Sequence, residues 1–209
     1  MDYYILGSGG FAKEVHFLLK KCKGAELKGF IDLYPKKDFI LSGGNMAQVI
    51  SQEDFLNKIK PSKGVSLLMG VGDPKLIDKL SRTFEEYKFP NLIHPSFIGD
   101  LESIEVGIGN IITAGCIFTV DTKIGSFNIF NLNTTLGHDS NIGNCNVFNP
   151  GCNISGGVRI GSCNLFGTNS TVLQNVAVGD YNTLGASSLA NKTINDNSVM
   201  IGVPAKPLI

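Results

Sequence analysis

Charge is scarce in this sequence, and its signs cancel. Only 17% of residues are charged, 18 Lys and Arg against 18 Asp and Glu, so the formal net charge is zero. A protein that holds nucleic acid by bulk electrostatics needs a basic excess to displace counterions, and there is neither an excess nor a charged tail. Histidine is rarer still, limited to His16, His94 and His138. The five cysteines, Cys22, Cys116, Cys145, Cys152 and Cys163, are odd in number and form no CxxC pair. That argues against a zinc site and for reduced thiols in a cytoplasmic protein. No apolar run approaches the roughly 20 residues of a spanning helix. The opening "MDYYILGSGG" runs into a strand pattern without the basic n-region of a secretory signal. These absences predict a cytoplasmic chain with no metal, no nucleic-acid partner and no membrane partner.

What is present divides into two halves with different periods. From residue 1 to about 91, strands alternate with helices. "YYILG" reads as a buried strand, and Ala12, Val15, Leu18 and Leu19 fall at helical spacing in "GFAKEVHFLLKKC". "ELKGFID" is a second strand, and "SQEDFLNKI" opens a helix with Ser51 and Asp54 placed as a variant capping box. "VSLLMGVG" is a third strand, followed by the helical "DPKLIDKLSRTFEEY" with Pro74 in its first turn. Such alternation implies a parallel sheet with right-handed crossovers. The half is too short for a complete dinucleotide fold.

From about Pro95 the helical period disappears. Apolar residues recur every six positions, from Val106, Ile112 and Phe118 through Ile124, Phe130, Leu136, Ile142, Phe148, Ile154, Ile160, Phe166, Val172 and Val178 to Leu184. This is the signature of a parallel β-helix. If three hexapeptides make one triangular coil, residues 18 apart stack about 4.8 Å from each other. The columns then become uniform: Ile112, Phe130, Phe148 and Phe166; Val106, Ile124, Ile142, Ile160 and Val178; and an amide ladder of Asn128, Asn146, Asn164 and Asn182. The same arithmetic brings Cys145 near Cys163, read as packing. The expected fold is therefore α/β plus all-β: a small Rossmann-like parallel-sheet domain over 1–94, then a β-helix with a C-terminal tail over 95–209.

Hexapeptide repeats ending in "IGVPAKPLI" (Ile201 to Ile209) resemble the left-handed β-helix acyltransferases. With "ILGSGGFAKEV", "GFID" and "GVGDPKL" ahead of them, the chain resembles the sialic acid O-acetyltransferase and nucleotide-sugar N-acetyltransferase family. The resemblance implies left-handed coils, acetyl-CoA as cosubstrate, a homotrimer, and a pantetheine arm lying along the β-helix between subunits. It also implies a catalytic histidine at the "GHD" of Gly137 to Asp139.

Acetyl transfer from a thioester needs a base for the attacking group and donors for the developing oxyanion. His138 suits the first task because its unperturbed pKa lies near neutrality. Asp139 could hold its tautomer. Counting 18 residues on gives Gly156, whose bare N–H would sit beside His138 as an oxyanion or thioester-carbonyl donor, with Gly157 next to it. The plainer alternative is a solvent-exposed corner histidine. The family often carries a second histidine about ten residues on, where this chain has Phe148 and Asn149. The charged end of coenzyme A would need cations near the last coils, and Lys192 and Lys206 are available.

In the first half, Gly7, Gly9, Gly10 and Phe11 form a Gly-rich strand–helix turn that would let helix amides approach a phosphate. Asp32 ends the second strand where an acidic residue can contact a base or ribose, and Gly72 and Asp73 end the third. Lys13 is a candidate phosphate contact. His16 reads as structural and His94 as a hinge before Pro95. The sequence thus predicts an acetyl-CoA-dependent acetyltransferase acting on the amine of a nucleotide-linked amino sugar, with His138 as base and direct attack through a tetrahedral intermediate. O-acetylation of sialic acid or another sugar hydroxyl is an alternative. So is a nucleotide-sugar-binding module with a purely structural β-helix.

Overall fold

The structure, a computed structural model, describes residues 1–22, 26–35, 39–41 and 44–208. Among the described residues, the first half is a four-stranded parallel sheet with three helices, beside a short antiparallel pair of Phe39–Ile40 with Met46–Ala47. The strands of the main sheet and the helices are, in chain order, β1 (Asp2–Leu6), α1 (Gly10–Lys21), β2 (Glu26–Asp32), β3 (Val49–Ser51), α2 (Gln52–Lys58), β4 (Val65–Met69) and α3 (Pro74–Thr83). The strand order is β3-β2-β1-β4. The chain therefore leaves β1 to one side and returns on the other, which makes a switch point at the carboxyl end of β1. The helix starts follow the sequence signals. Ser51 caps α2 by accepting from the Asp54 amide at 3.0 Å, and Asp73 caps α3 by accepting from the Leu76 amide at 2.7 Å. No described helix is long and apolar enough to cross a membrane.

The second half is a parallel β-helix with two-residue strands on three faces. Register confirms the 18-residue coil: Ile112 pairs with Phe130, Phe130 with Phe148, and Phe148 with Phe166. The expected columns are present. Phe130 and Phe148 stack at 4.7 Å and 4°, and Phe148 and Phe166 at 4.6 Å and 5°. The Asn ladder begins earlier than expected, at Asn91, whose side-chain oxygen accepts from the Asn110 backbone N–H at 2.8 Å. Each Asn side-chain oxygen accepts from the backbone N–H of the Asn one coil on, as from Asn110 to Asn128 at 2.8 Å and from Asn128 to Asn146 at 2.9 Å. Stacked amides thus satisfy buried donors that a turn would otherwise orphan. Leu92–Ile93 already pairs with Ile111–Ile112, so the coils begin just ahead of His94.

The three faces differ in what their outward residues meet. On the first face Ile111, Ile129 and Val147 are buried in the same core as β1, α1 and β4. The N-terminal half is docked there, and Phe89 packs edge-on against Phe127 at 5.0 Å. On the second face Ile117 and Asn153 are exposed, and on the third Glu105, Lys123, Asn141 and Arg159 are exposed. The edge between the second and third faces is therefore the one opposite the docked domain.

Candidate active site

His138 stands on that remote edge, at the corner between Thr135–Leu136 and Asn141–Ile142. Four successive coils turn there through a residue at positive φ: Asp121, Asp139, Gly157 and Asn175. Asp139 has a φ of 58°, a conformation that Asp and Asn tolerate better than other non-glycine residues. The turn folds the carboxylate back onto the neighbouring ring, and His138 Nδ1 lies 2.7 Å from Asp139 Oδ2. A carboxylate only accepts, so Nδ1 carries a proton there, and the neutral form of the ring held this way presents its lone pair on Nε2. Both side chains are about two-thirds exposed, at 66% and 67%.

The ring lies over Gly156. A Cβ at Gly156 would sit 2.6 Å from Nε2 and 2.7 Å from Cε1 of His138, so only glycine leaves room for the ring in this position. The Gly156 N–H has no acceptor among the described residues, whereas Gly157 donates its N–H to the His138 carbonyl at 2.7 Å. Gly156 is thus placed as expected. Gly157, expected to touch cofactor, has its amide engaged within the scaffold. Strand register carries the column onward: Leu136 stacks on Ile154, Ile154 on Val172, and Val172 on Ala190. Two residues past each lie His138, Gly156, Gln174 and Lys192. Lys192 and Lys206 line one cleft of about 320 Å³ with Asn191 and Pro204, formed where the tail folds back onto Met200 and Ile201. The third-face groove beside the edge contains Arg159, a cation that the sequence reading missed. Asn149 is half-buried, and Phe148 belongs wholly to the core stack.

The second constellation is a cleft of about 500 Å³ at the carboxyl end of the sheet. The loops after β1, β2 and β4 converge on it, so Gly7, Gly9, Gly10, Phe11, Asp32, Gly72 and Asp73 all line it. Gly7 is required: its φ is 102°, and a Cβ would meet Val71 at 2.6 Å. Gly9 caps α1 without any side-chain bond, leaving the first helix amides open to the cleft. Asp32 braces the loops. Its Oδ2 accepts from the Ser8 amide at 2.9 Å and the Ser8 hydroxyl at 2.5 Å, and its Oδ1 from the Tyr34 amide at 3.1 Å. Lys13 does not fit the phosphate role. It lines a separate hollow with Phe17 and Ile40, and its Nζ lies 5.3 Å from the centre of the Phe39 ring. The cation that does line the cleft is Lys79 of α3, which the sequence reading missed along with Ser8, Tyr34 and Gln52. Among the described residues, none of the β-helix lines this cleft. His94 forms a local turn, its Nδ1 accepting from the Ser96 amide at 3.0 Å. His16 is buried against Phe30.

Residues 2–84 match the family described as the PglD N-terminal domain. Over its whole length the chain is similar to PerB from Caulobacter crescentus, solved with CoA and GDP-perosamine: identity is 27%, coverage 100% of this chain and 98% of that one, and the TM-score 0.90. The same perosamine N-acetyltransferase was also solved with a histidine replaced by asparagine, at 26% identity over 100% and 97% of the two chains and a TM-score of 0.89. The fold is shared with the acetyltransferase domain of PglB from Neisseria gonorrhoeae, solved with acetyl coenzyme A, at 24% identity, 99% and 98% coverage and a TM-score of 0.84. No curated protein matches the sequence. The chain has the two-part architecture of the nucleotide-sugar N-acetyltransferases, a PglD-type N-terminal domain followed by a β-helix.

Proposed function

We propose that this chain, built as a PglD-type domain on a β-helix, transfers the acetyl group of acetyl-CoA to the amine of a nucleotide-linked amino sugar. The observation that carries the reading is the triad of groups on the remote edge: an imidazole, a carboxylate on its Nδ1, and, beneath the ring, a glycine amide without an acceptor among the described residues. In this reading the amine adds to the thioester carbonyl as Nε2 takes one of its protons, and the Gly156 N–H stabilises the oxyanion. Collapse of the tetrahedral intermediate expels the CoA thiolate, which the imidazolium protonates. No covalent enzyme intermediate forms. The thioester would lie at His138 and the arm would run up the column, past Gln174. Three coils of about 4.8 Å bring it to Lys192 and Lys206, which would meet the phosphates.

The nucleotide sugar is assigned to the cleft at β1, with its diphosphate over the α1 amides and near Lys79. That cleft belongs to the domain docked on the first face, whereas His138 stands on the opposite edge. A sugar held in one chain's cleft therefore reaches the histidine of another chain, which supports the closed trimer implied by the family resemblance. Amine rather than hydroxyl as acceptor is supported by PerB, a perosamine N-acetyltransferase. The test is thiol release from acetyl-CoA with a panel of nucleoside diphosphate amino sugars and their hydroxyl counterparts. Turnover confined to amines supports the reading, and turnover with hydroxyl sugars alone replaces it by O-acetylation. Binding without turnover leaves only a nucleotide-sugar module.

A further inference from the structure

The seam between the two halves holds a cluster that neither constellation uses. Asp78 reaches from α3 to a corner of the β-helix where Cys145 and Cys163 stand one coil apart. A carboxylate oxygen and the two Sγ atoms all lie within 4.8 Å of one another. Both cysteines are free and buried, 3% and 6% exposed, and both sit at matching positive φ, 58° and 60°, so their side chains leave the corner in parallel. Burial pushes the Cys145 thiol up to about 12 and raises the Cys163 thiol as well, so both are protonated in the free protein. The Tyr181 hydroxyl lies near Cys163. Arg82 grips Asp78, with Nη2 at 3.0 Å from Oδ1 and Nε at 3.2 Å from both oxygens.

We propose that Asp78, Cys145 and Cys163 form a binding site for a thiophilic divalent cation of the zinc or cadmium class, which fastens α3 to the β-helix. The donor set suits such an ion: two soft sulfurs and one carboxylate, three of the four ligands that a tetrahedral ion takes. Metal–ligand bonds of about 2.0–2.3 Å separate tetrahedral ligands by about 3.5–3.8 Å, so the cluster needs to close by no more than about 1 Å on binding. The step balances. The cation forms one bond to each sulfur, each S–H bond breaks, and two protons leave to solvent. The two positive charges that arrive replace the two that depart, and Arg82 continues to neutralise the carboxylate. Access is open because the Asp78 side chain is 29% exposed at the seam. Cysteine spacing alone argued against zinc because the third ligand comes from the other domain.

The test is titration of the reduced full-length protein with cadmium ion, following the ultraviolet thiolate-to-metal charge-transfer band and the protons released. The expected result is one ion per chain with about two protons released for each. The band should be lost in Cys145→Ser and in Cys163→Ser and retained in Cys116→Ser. Asp78→Asn should weaken binding by about tenfold or more. Absence of the band, or an undiminished band in both seam variants, overturns the site. If the serine variants do not fold, Asp78→Asn decides, and unchanged cadmium affinity there overturns it.

Discussion

Gly156→Ala separates the catalytic reading from the structural one. The φ of Gly156 is not positive, so alanine suits the backbone. The new methyl carbon would lie 2.6 Å from His138 Nε2 and 3.0 Å from Cδ2. Ordinary contact requires about 3.5–4.0 Å, so the ring must retreat by about 1 Å. Being 66% exposed, it can swing outward without disturbing the core. Stability should then change by less than about 1 kcal/mol, as for other exposed positions. A 1 Å misplacement of a catalytic group costs on the order of 100-fold, or about 2.7 kcal/mol of barrier. The companion change Gly137→Ala directs its Cβ at backbone instead, 2.5 Å from the Gly156 N and 2.6 Å from the Ser155 carbonyl carbon. It should destabilise the coil by about 1–3 kcal/mol through overpacking. Thiol-release kinetics and thermal melting read the two effects apart. Gly156→Ala with wild-type kcat and an intact fold would refute the placement of the ring as the working base.

Phe148→Ala removes the middle ring of the stacked column and should cost about 3–5 kcal/mol by urea unfolding. His16 is held below its ordinary pKa of 6.5, chiefly by burial and then by Lys20. Its contribution to stability is therefore constant above about 6.5. It declines as pH falls below that value, because the unfolded chain takes up the proton first. Unfolding measured at stepped pH should show this acid-side loss, and His16→Leu should flatten it. Lys192→Ala and Lys206→Ala should each raise KM for acetyl-CoA by about tenfold or less, with kcat little changed, as exposed ion pairs of about 1 kcal/mol do.

The β-helix was legible because its period is enforced by hydrogen bonds between coils: one misplaced residue would turn an inward side chain outward. Hence the Phe130–Phe148–Phe166 stack, the Asn ladder and the His138–Gly156 neighbours could all be counted out. The docking face went unread, although Ile111, Ile129 and Val147 put apolar residues outward at the same interval. The cleft was legible in its three loops, which follow strand ends. It was not legible in Lys79 or Gln52, which depend on how helices pack across the sheet. Lys13 failed because its helix turns it toward Phe39, and helical phase relative to a cleft is set by tertiary packing. Asp78 beside Cys145 and Cys163 joins residues of the two halves, a distance that no local spacing encodes.

The most direct measurement is turnover by His138→Ala alongside its affinity for coenzyme A. The account predicts a loss of about 10²–10⁴ in kcat with coenzyme A binding unchanged. Turnover within a few-fold of the unaltered protein would contradict it.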